Sequence, residues 1–175
     1  MEPFTAGSDV RIASREYLNL VRELALLIFP VTYRDIVAAG QVDYMMNLIY
    51  SPEALAVQQE SGQIFLIIYV EGRAAGFAGY TRLNVSGDFK LNKIYLDYNY
   101  QGRGLGKWLL SDVISRVKAS GGRTLQLNVN RFNKARGFYE SMGFTFLKED
   151  KVDIGNGYFM DDYVLSLRLK TNLKI

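Results

Sequence analysis

Apolar residues recur at helical spacing twice in the first third of the chain. Between Glu16 and Phe29 they fall at Leu20, Leu24, Leu27 and Ile28, and Pro30 is expected to stop that helix; between Val42 and Ile49 they fall at Val42, Met45, Met46 and Ile49. Strand-like runs surround and follow these segments. Val10–Ile12 is short, Ile64–Val70 and Ala74–Leu83 flank a hairpin turn at Glu71-Gly72-Arg73, and Phe89–Leu96 leads into a glycine-rich stretch. A helix from Gly104 to Ser120 then carries Leu105, Trp108, Leu109, Val113, Ile114 and Val117 on one face and ends at Gly121-Gly122. After it come a strand at Thr124–Val129, a short helix opened by Asn133 with Ala135, Phe138, Tyr139 and Met142 on its apolar side, and strands at Phe144–Leu147 and Tyr163–Leu169. The pattern predicts a mixed α/β fold, with residues 149–162 as a loop before the last strand.

Length and composition narrow the picture. A chain of 175 residues, with no linker, repeat or low-complexity stretch, is expected to form a single domain over 1–175. Its apolar runs are strand-sized, and the N-terminus MEPF has neither a basic region nor an apolar segment after it, so the expectation is a soluble cytoplasmic protein with no membrane partner. The net charge of +3 comes from interspersed Lys, Arg, Asp and Glu rather than a basic stripe, which gives no footprint for nucleic acid. The chain has no histidine and no cysteine, which removes Ser-His and Cys-His catalysis, thiol redox chemistry, disulfides and the usual zinc sites, and no metal ligand set is expected. Any reactivity must come from Tyr, Asp, Glu, Lys or backbone groups, or from an activated co-substrate.

The segment KIYLDYNYQGRGLGK, residues 93–107, carries the strongest chemical signal. Gly102, Gly104 and Gly106 stand at every second position, so backbone N–H groups there are open to an anion, and the helix beginning at Leu105 adds unpaired N–H groups and a positive dipole end. A dinucleotide fingerprint starting at Gly102 would need glycine where Lys107 stands. A Walker A loop ending at Gly106-Lys107 would need glycine at Gln101 and a hydroxyl residue at Trp108. What remains is Q-x-x-G-x-G at Gln101, Gly104 and Gly106, which resembles motif A of the GNAT superfamily of acetyl-CoA-dependent N-acetyltransferases. Downstream, NKARGFYESMGF from Asn133 to Phe144 resembles the family's motif B pattern, N-x-x-A-x-x-F-Y-x-x-x-G-F.

The resemblance covers about residues 64–147 and implies a mostly antiparallel sheet splayed at its central strands, with helices on both faces and acetyl-CoA in the opening. It implies that the backbone of Gln101, Gly102, Arg103, Gly104, Leu105, Gly106 and Lys107 holds the diphosphate, with Arg103 near its oxygens. Ile94, Tyr95 and Leu96 would run beside the pantetheine arm, and Asn133 would touch the pantetheine or phosphate region. Tyr139 would protonate the departing thiolate. Each has a structural alternative: Arg103 as a solvated cation, Asn133 as a helix cap, Tyr139 as a core residue beside Phe138. No general base stands out, because Leu91-Asn92-Lys93-Ile94 contains no carboxylate; Asp88 and Asp97 flank the strand as base or turn residues.

For the acceptor, residues 149–162 carry five carboxylates, including Asp161 and Asp162, and form either an acidic rim for a cationic amine or a solvated loop. Tyr44, Met45 and Tyr50 either line an acceptor cleft or belong to the core. With YMMNLIYSPEAL, this acidic segment resembles bacterial relatives of spermidine/spermine-type acetyltransferases, implying direct transfer of acetyl to a small primary amine such as a polyamine. A protein or peptide acetyltransferase and a non-catalytic acyl-CoA sensor are the rivals. The sequence names neither the amine, the acyl group nor the oligomeric state, a homodimer being one candidate.

Overall fold

In the computed structural model, which describes residues 7–170, the elements follow one another as β1 (Ser8–Ile12), α1 (Leu18–Tyr33), α2 (Ala39–Tyr50), α3 (Pro52–Glu60), β2 (Ile64–Val70), β3 (Arg73–Arg82), β4 (Asp88–Leu96), α4 (Leu105–Ala119), β5 (Thr124–Asn130), α5 (Arg136–Ser141), β6 (Thr145–Gly155) and β7 (Tyr158–Arg168). The strands form a seven-stranded sheet in the order β1-β2-β3-β4-β5-β7-β6. β1–β2, β2–β3, β5–β7 and β6–β7 are antiparallel and β4–β5 is parallel. The mixed α/β expectation, with a mostly antiparallel sheet, is therefore met. The parallel register runs from Asp88↔Thr124 to Leu91↔Leu127, and no further pair follows among the described residues. None of the described helices is long and apolar enough to cross a membrane.

Two compact units share the chain. The first comprises the described residues through Tyr80 together with Lys93–Val113; the second comprises Thr81–Asn92 and the described residues from Ile114 onward. In the first, α1 buries Leu18, Val21, Leu24, Ala25, Ile28, Phe29 and Tyr33, while Leu27 faces solvent. Pro30 does not stop this helix, contrary to the expectation from sequence. It removes one N–H donor near the end, yet Arg34 N still donates to Pro30 O at 3.0 Å and the Thr32 hydroxyl donates to Ile28 O at 2.9 Å. Packing of the Phe29 and Tyr33 rings, 4.4 Å between centroids, rewards the extra turn. Helix α3 was not expected, although its signals stand in the sequence: the Ser51 hydroxyl accepts from Ala54 N at 3.2 Å, Pro52 opens the helix and Glu53 lies in its first turn.

The largest departure lies in the second unit, where residues 149–162 form most of the β6–β7 hairpin rather than a loop. Asn156 and Gly157 take φ values of 54° and 77°, as a two-residue hairpin turn requires, and Gly155 pairs with Tyr158 across it. The abundance of Asp and Glu disguised a strand pair that the Asn-Gly dipeptide marks.

Candidate active site

The glycine loop is built on the first unit from the end of β4. Asp97 leaves the strand, its N–H donating to Ala75 O at 2.8 Å and its carboxylate accepting from Asn99 N at 3.0 Å, which caps a single turn at Tyr98–Tyr100. The Gln101 amide then donates to Leu96 O at 3.3 Å, tying the start of the loop to the end of the strand. Gly102 and Gly104 both have φ of +76°, and a Cβ at either would meet no atom within 4 Å. Glycine is therefore required there by backbone conformation, not by crowding. Trp108 N donates to Gly104 O at 3.0 Å as α4 begins, so the amides of the preceding residues lie before the helical ladder, as anion-binding amides do. Leu105 is buried and anchors this turn, while Gln101 to Gly104 and Lys107 are exposed. The Arg103 guanidinium lies 5.5 Å from the Tyr100 ring centroid, a cation–π contact that keeps it on the loop.

Ile94, Tyr95 and Leu96 are half-buried on β4. Gly76 on β3 matters here and went unnoticed in the sequence: a Cβ would stand 2.4 Å from Tyr95 O and 3.1 Å from Leu96 Cα. Only glycine admits this approach of two backbones; the small residues of AAGFAG, positions 74–79, were the available signal.

Around Tyr95, an aromatic cluster joins four elements. Phe29 and Tyr33 of α1, Tyr50 of α2, Phe77 of β3 and Tyr95 of β4 contact one another at centroid distances of 4.4–6.5 Å. The hydroxyls of Tyr33 and Tyr95 are 3.1 Å apart, and Tyr50 is hydrogen-bonded to Tyr95. Burial pushes the Tyr50 phenol well above its ordinary range, helped by Tyr33 and opposed by the Tyr95 hydrogen bond, so Tyr50 stays neutral. Lys93, 8 % exposed, places Nζ 5.6 Å from the Tyr50 ring centroid. Of the residues considered for an acceptor cleft, Met45 and Tyr50 are core, and Tyr44 is half-buried on the same helix.

Tyr139, Asn133, Asp161 and Asp162 belong to the second unit. Tyr139 is buried on α5 between Phe138 and Phe144, with centroids 5.4 and 6.1 Å away. Asn133 precedes this helix rather than capping it directly: its side-chain Oδ1 accepts from Ala135 N at 2.9 Å, and α5 begins at Arg136. One residue separates Asn133 from Ala135 where the N-x-x-A pattern has two, so the match at this asparagine is one of residue type and not of register.

The acidic segment is not a bare rim. Arg131 pairs with both Glu149 and Asp161 at 3.3 Å and donates to the Tyr163 hydroxyl at 3.1 Å, and these carboxylates hold its guanidinium firmly charged. Asn128 donates to Asp150 at 3.2 Å and to Asp162 at 3.3 Å, and Asp153 accepts from Gly155 N. Asp162 is only 3 % exposed; burial raises its carboxyl above the usual range, partly offset by Asn128. Of the two carboxylates flanking β4, Asp97 is committed to its cap, and Asp88 accepts from Asn84 at 2.8 Å and Thr124 at 2.6 Å. Those bonds lower the Asp88 carboxyl below its ordinary range, which makes it a weaker proton acceptor.

Comparison with known proteins places this geometry among relatives. The family model for an acetyltransferase (GNAT) domain matches residues 38–159, which include the glycine loop and the segment around Tyr139. A [ribosomal protein bS18]-alanine N-acetyltransferase of Haemophilus influenzae is 43% identical over 60 residues, a match that spans 34% of this chain and 38% of that relative's length. The fold is similar to that of PaiA N-acetyltransferase from Thermoplasma acidophilum in complex with coenzyme A, with a TM-score of 0.77 and 22% identity, covering 93% of this chain and 99% of that one. It is also similar to the ribosomal-protein-S18-alanine N-acetyltransferase from Escherichia coli, with a TM-score of 0.70 and 20% identity over 96% and 99% of the two chains.

Proposed function

The chain belongs to the GNAT acetyltransferase family, and we propose that it moves acetyl from acetyl-CoA directly to a primary amine. The observation that carries the reading is the loop from Gln101 to Lys107, whose two left-handed glycines and the start of α4 form a cradle of backbone N–H groups suited to a diphosphate. Arg103 adds a cation beside it. The amides of Ile94, Tyr95 and Leu96 orient the pantetheine and polarise the thioester carbonyl, an effect worth about 2.7–4 kcal/mol per donor in comparable sites. Acetyl-CoA supplies an already electrophilic acyl carbon. With no cysteine to carry the acetyl group, the amine attacks it directly. The Tyr139 hydroxyl gives its proton to the departing sulfur, as suits a phenol that is neutral near pH 7.

For the acceptor, a peptide or protein α-amine is favoured over a polyamine. The carboxylates expected to recruit a polycation are engaged by Arg131 and Asn128, and the matched relative from Haemophilus influenzae acts on an alanine of a ribosomal protein. Two measurements test the proposal together. Coenzyme A at a hundredfold excess over its dissociation constant is expected to raise the melting temperature by roughly 5–10 °C. Turnover is expected to be faster with an alanine-initiated peptide than with spermidine, and to fall by about 10²–10⁴ in Tyr139→Phe with acetyl-CoA affinity kept. No shift with coenzyme A would reject the family activity for this chain. A shift without turnover on any amine would favour a sensor, and spermidine as the faster acceptor would restore the polyamine reading.

A further inference from the structure

The proposed transfer leaves one proton without a destination. The attacking amine must lose it, yet β4 has no carboxylate between Asp88 and Asp97, and both of these are occupied by local hydrogen bonds. Side chains alternate along the strand, so Lys93 and Tyr95 face one way and Ile94 and Leu96 the other. Tyr95 thus stands on the stretch of β4 assigned above to the thioester. Its hydroxyl is at the middle of a chain that runs to Tyr33 at 3.1 Å on one side and to Tyr50 on the other. Tyr50, 1 % exposed, is the closed end; Tyr33, 8 % exposed in the last turn of α1 beside the exposed Arg34, is the less closed of the two.

We propose that the hydroxyl chain Tyr95–Tyr33 takes up the proton of the attacking amine and passes it to water, with Tyr50 and Lys93 as positioning residues. The inference rests on the acetyltransferase reading above. As the C–N bond forms and the C–S bond breaks, the N–H proton moves to the Tyr95 oxygen, the Tyr95 proton moves to the Tyr33 oxygen, and the Tyr33 proton moves to water. The electron pair of the C–S bond leaves on sulfur, which takes the Tyr139 proton, and Tyr139 is reprotonated from solvent. The products are an amide and a thiol, and each hydroxyl ends as it began. Tyr50 holds the Tyr95 hydroxyl in line, and the Lys93 cation on the Tyr50 ring disfavours proton movement toward the closed end. Hydroxyl relays need no charged base, which suits a wall built almost wholly from aromatic rings.

The test uses the full chain, acetyl-CoA, and a strongly and a weakly basic amine that the wild type acetylates. Tyr95→Phe keeps the ring contacts with Phe77 and Phe29. Its kcat is expected to fall by about 10²-fold, the lower end of general acid–base effects, with KM for acetyl-CoA within a factor of about two. The deficit should shrink for the weakly basic amine, whose proton leaves readily without help; a merely structural tyrosine would show no such dependence. Tyr33→Phe should reproduce the effect in smaller degree and serves where Tyr95→Phe folds poorly. Unchanged kcat in both variants, or equal loss on both amines, overturns the relay while leaving the transferase reading intact. A wild type that binds coenzyme A but acetylates nothing overturns both, and that outcome is visible before any variant is made.

Discussion

The aromatic cluster of α1, α2, β3 and β4 and the charged β6–β7 hairpin both give their polar groups partners, and they do it by opposite means. In the cluster, Tyr33, Tyr50 and Tyr95 satisfy one another as neutral hydroxyls inside a shell of rings. Along the hairpin, Glu149 and Asp161 hold Arg131, which follows β5, and Asp150 and Asp162 hold Asn128 of β5. A neutral network answers to packing and is indifferent to salt. A charged one answers to pH and ionic strength. Counting carboxylates in the sequence therefore overstates the field available to a substrate, because it cannot say which have already been neutralised by a neighbour.

The sharpest contrast is expected from removing one ring and one cation. Phe77, fully buried against Tyr50 and Tyr95, should cost about 3–5 kcal/mol when replaced by alanine, and the loss read from urea unfolding should be the same at low and high salt. A salt-dependent loss would show that the charge of Lys93, 5.6 Å from the Tyr50 ring centroid, contributes to the cluster. Arg131→Met should cost less, because Arg131 and its partners are partly exposed, and the cost should depend on salt: Glu149 and Asp161 then repel, and added salt should restore part of the stability. A salt-independent loss there would mean that Arg131 acts through its stacking on Tyr163, 4.8 Å away, more than through its charge.

The smallest expected effects carry opposite signs. Hydrogen bonds from Asn84 and Thr124 lower Asp88 in the folded state, so its contribution is present above the unfolded value of about 4 and is lost as pH falls through the folded value. Asp88→Asn should therefore destabilise at neutral pH and become harmless in acid. Burial raises Asp162, so its contribution is present below the unfolded value and is lost as pH rises through the folded one. Asp162→Asn should gain stability at neutral pH relative to wild type, the gain vanishing in acid. Urea midpoints measured from about pH 3 to pH 7 read both, and parallel curves for the two variants would refute the assignment.

Much of the site-bearing architecture was legible because it is local. The apolar run at Ile64–Val70, the amphipathic pattern of α4 and the glycines of the loop each specify their own conformation within a few residues, and the structure follows them closely. Residues 149–162 were misread because acidic composition outweighed the Asn156-Gly157 turn, and α3 was missed although Ser51-Pro52-Glu53 announced it. The aromatic cluster was beyond local reading. Its members come from four elements, and nothing near Tyr95 in the sequence says that Tyr33 will meet it. The role of Gly76 was hidden for the same reason, since the atom that forbids a side chain there is a carbonyl nineteen residues away, at Tyr95.

Strand β6 has a liability that its charges also answer. It lies last in the sheet order and pairs with β7 along one side, leaving an eleven-residue margin with Phe146, Leu147 and Val152 exposed. Such a margin is a template on which a second chain can add, and then a third, toward aggregation. Lys148, Glu149, Asp150, Lys151 and Asp153 interrupt its middle, so that an approaching strand meets charge along most of the margin. The acidic residues that looked like a lure for substrate would then serve to keep the protein from sticking to itself at high concentration.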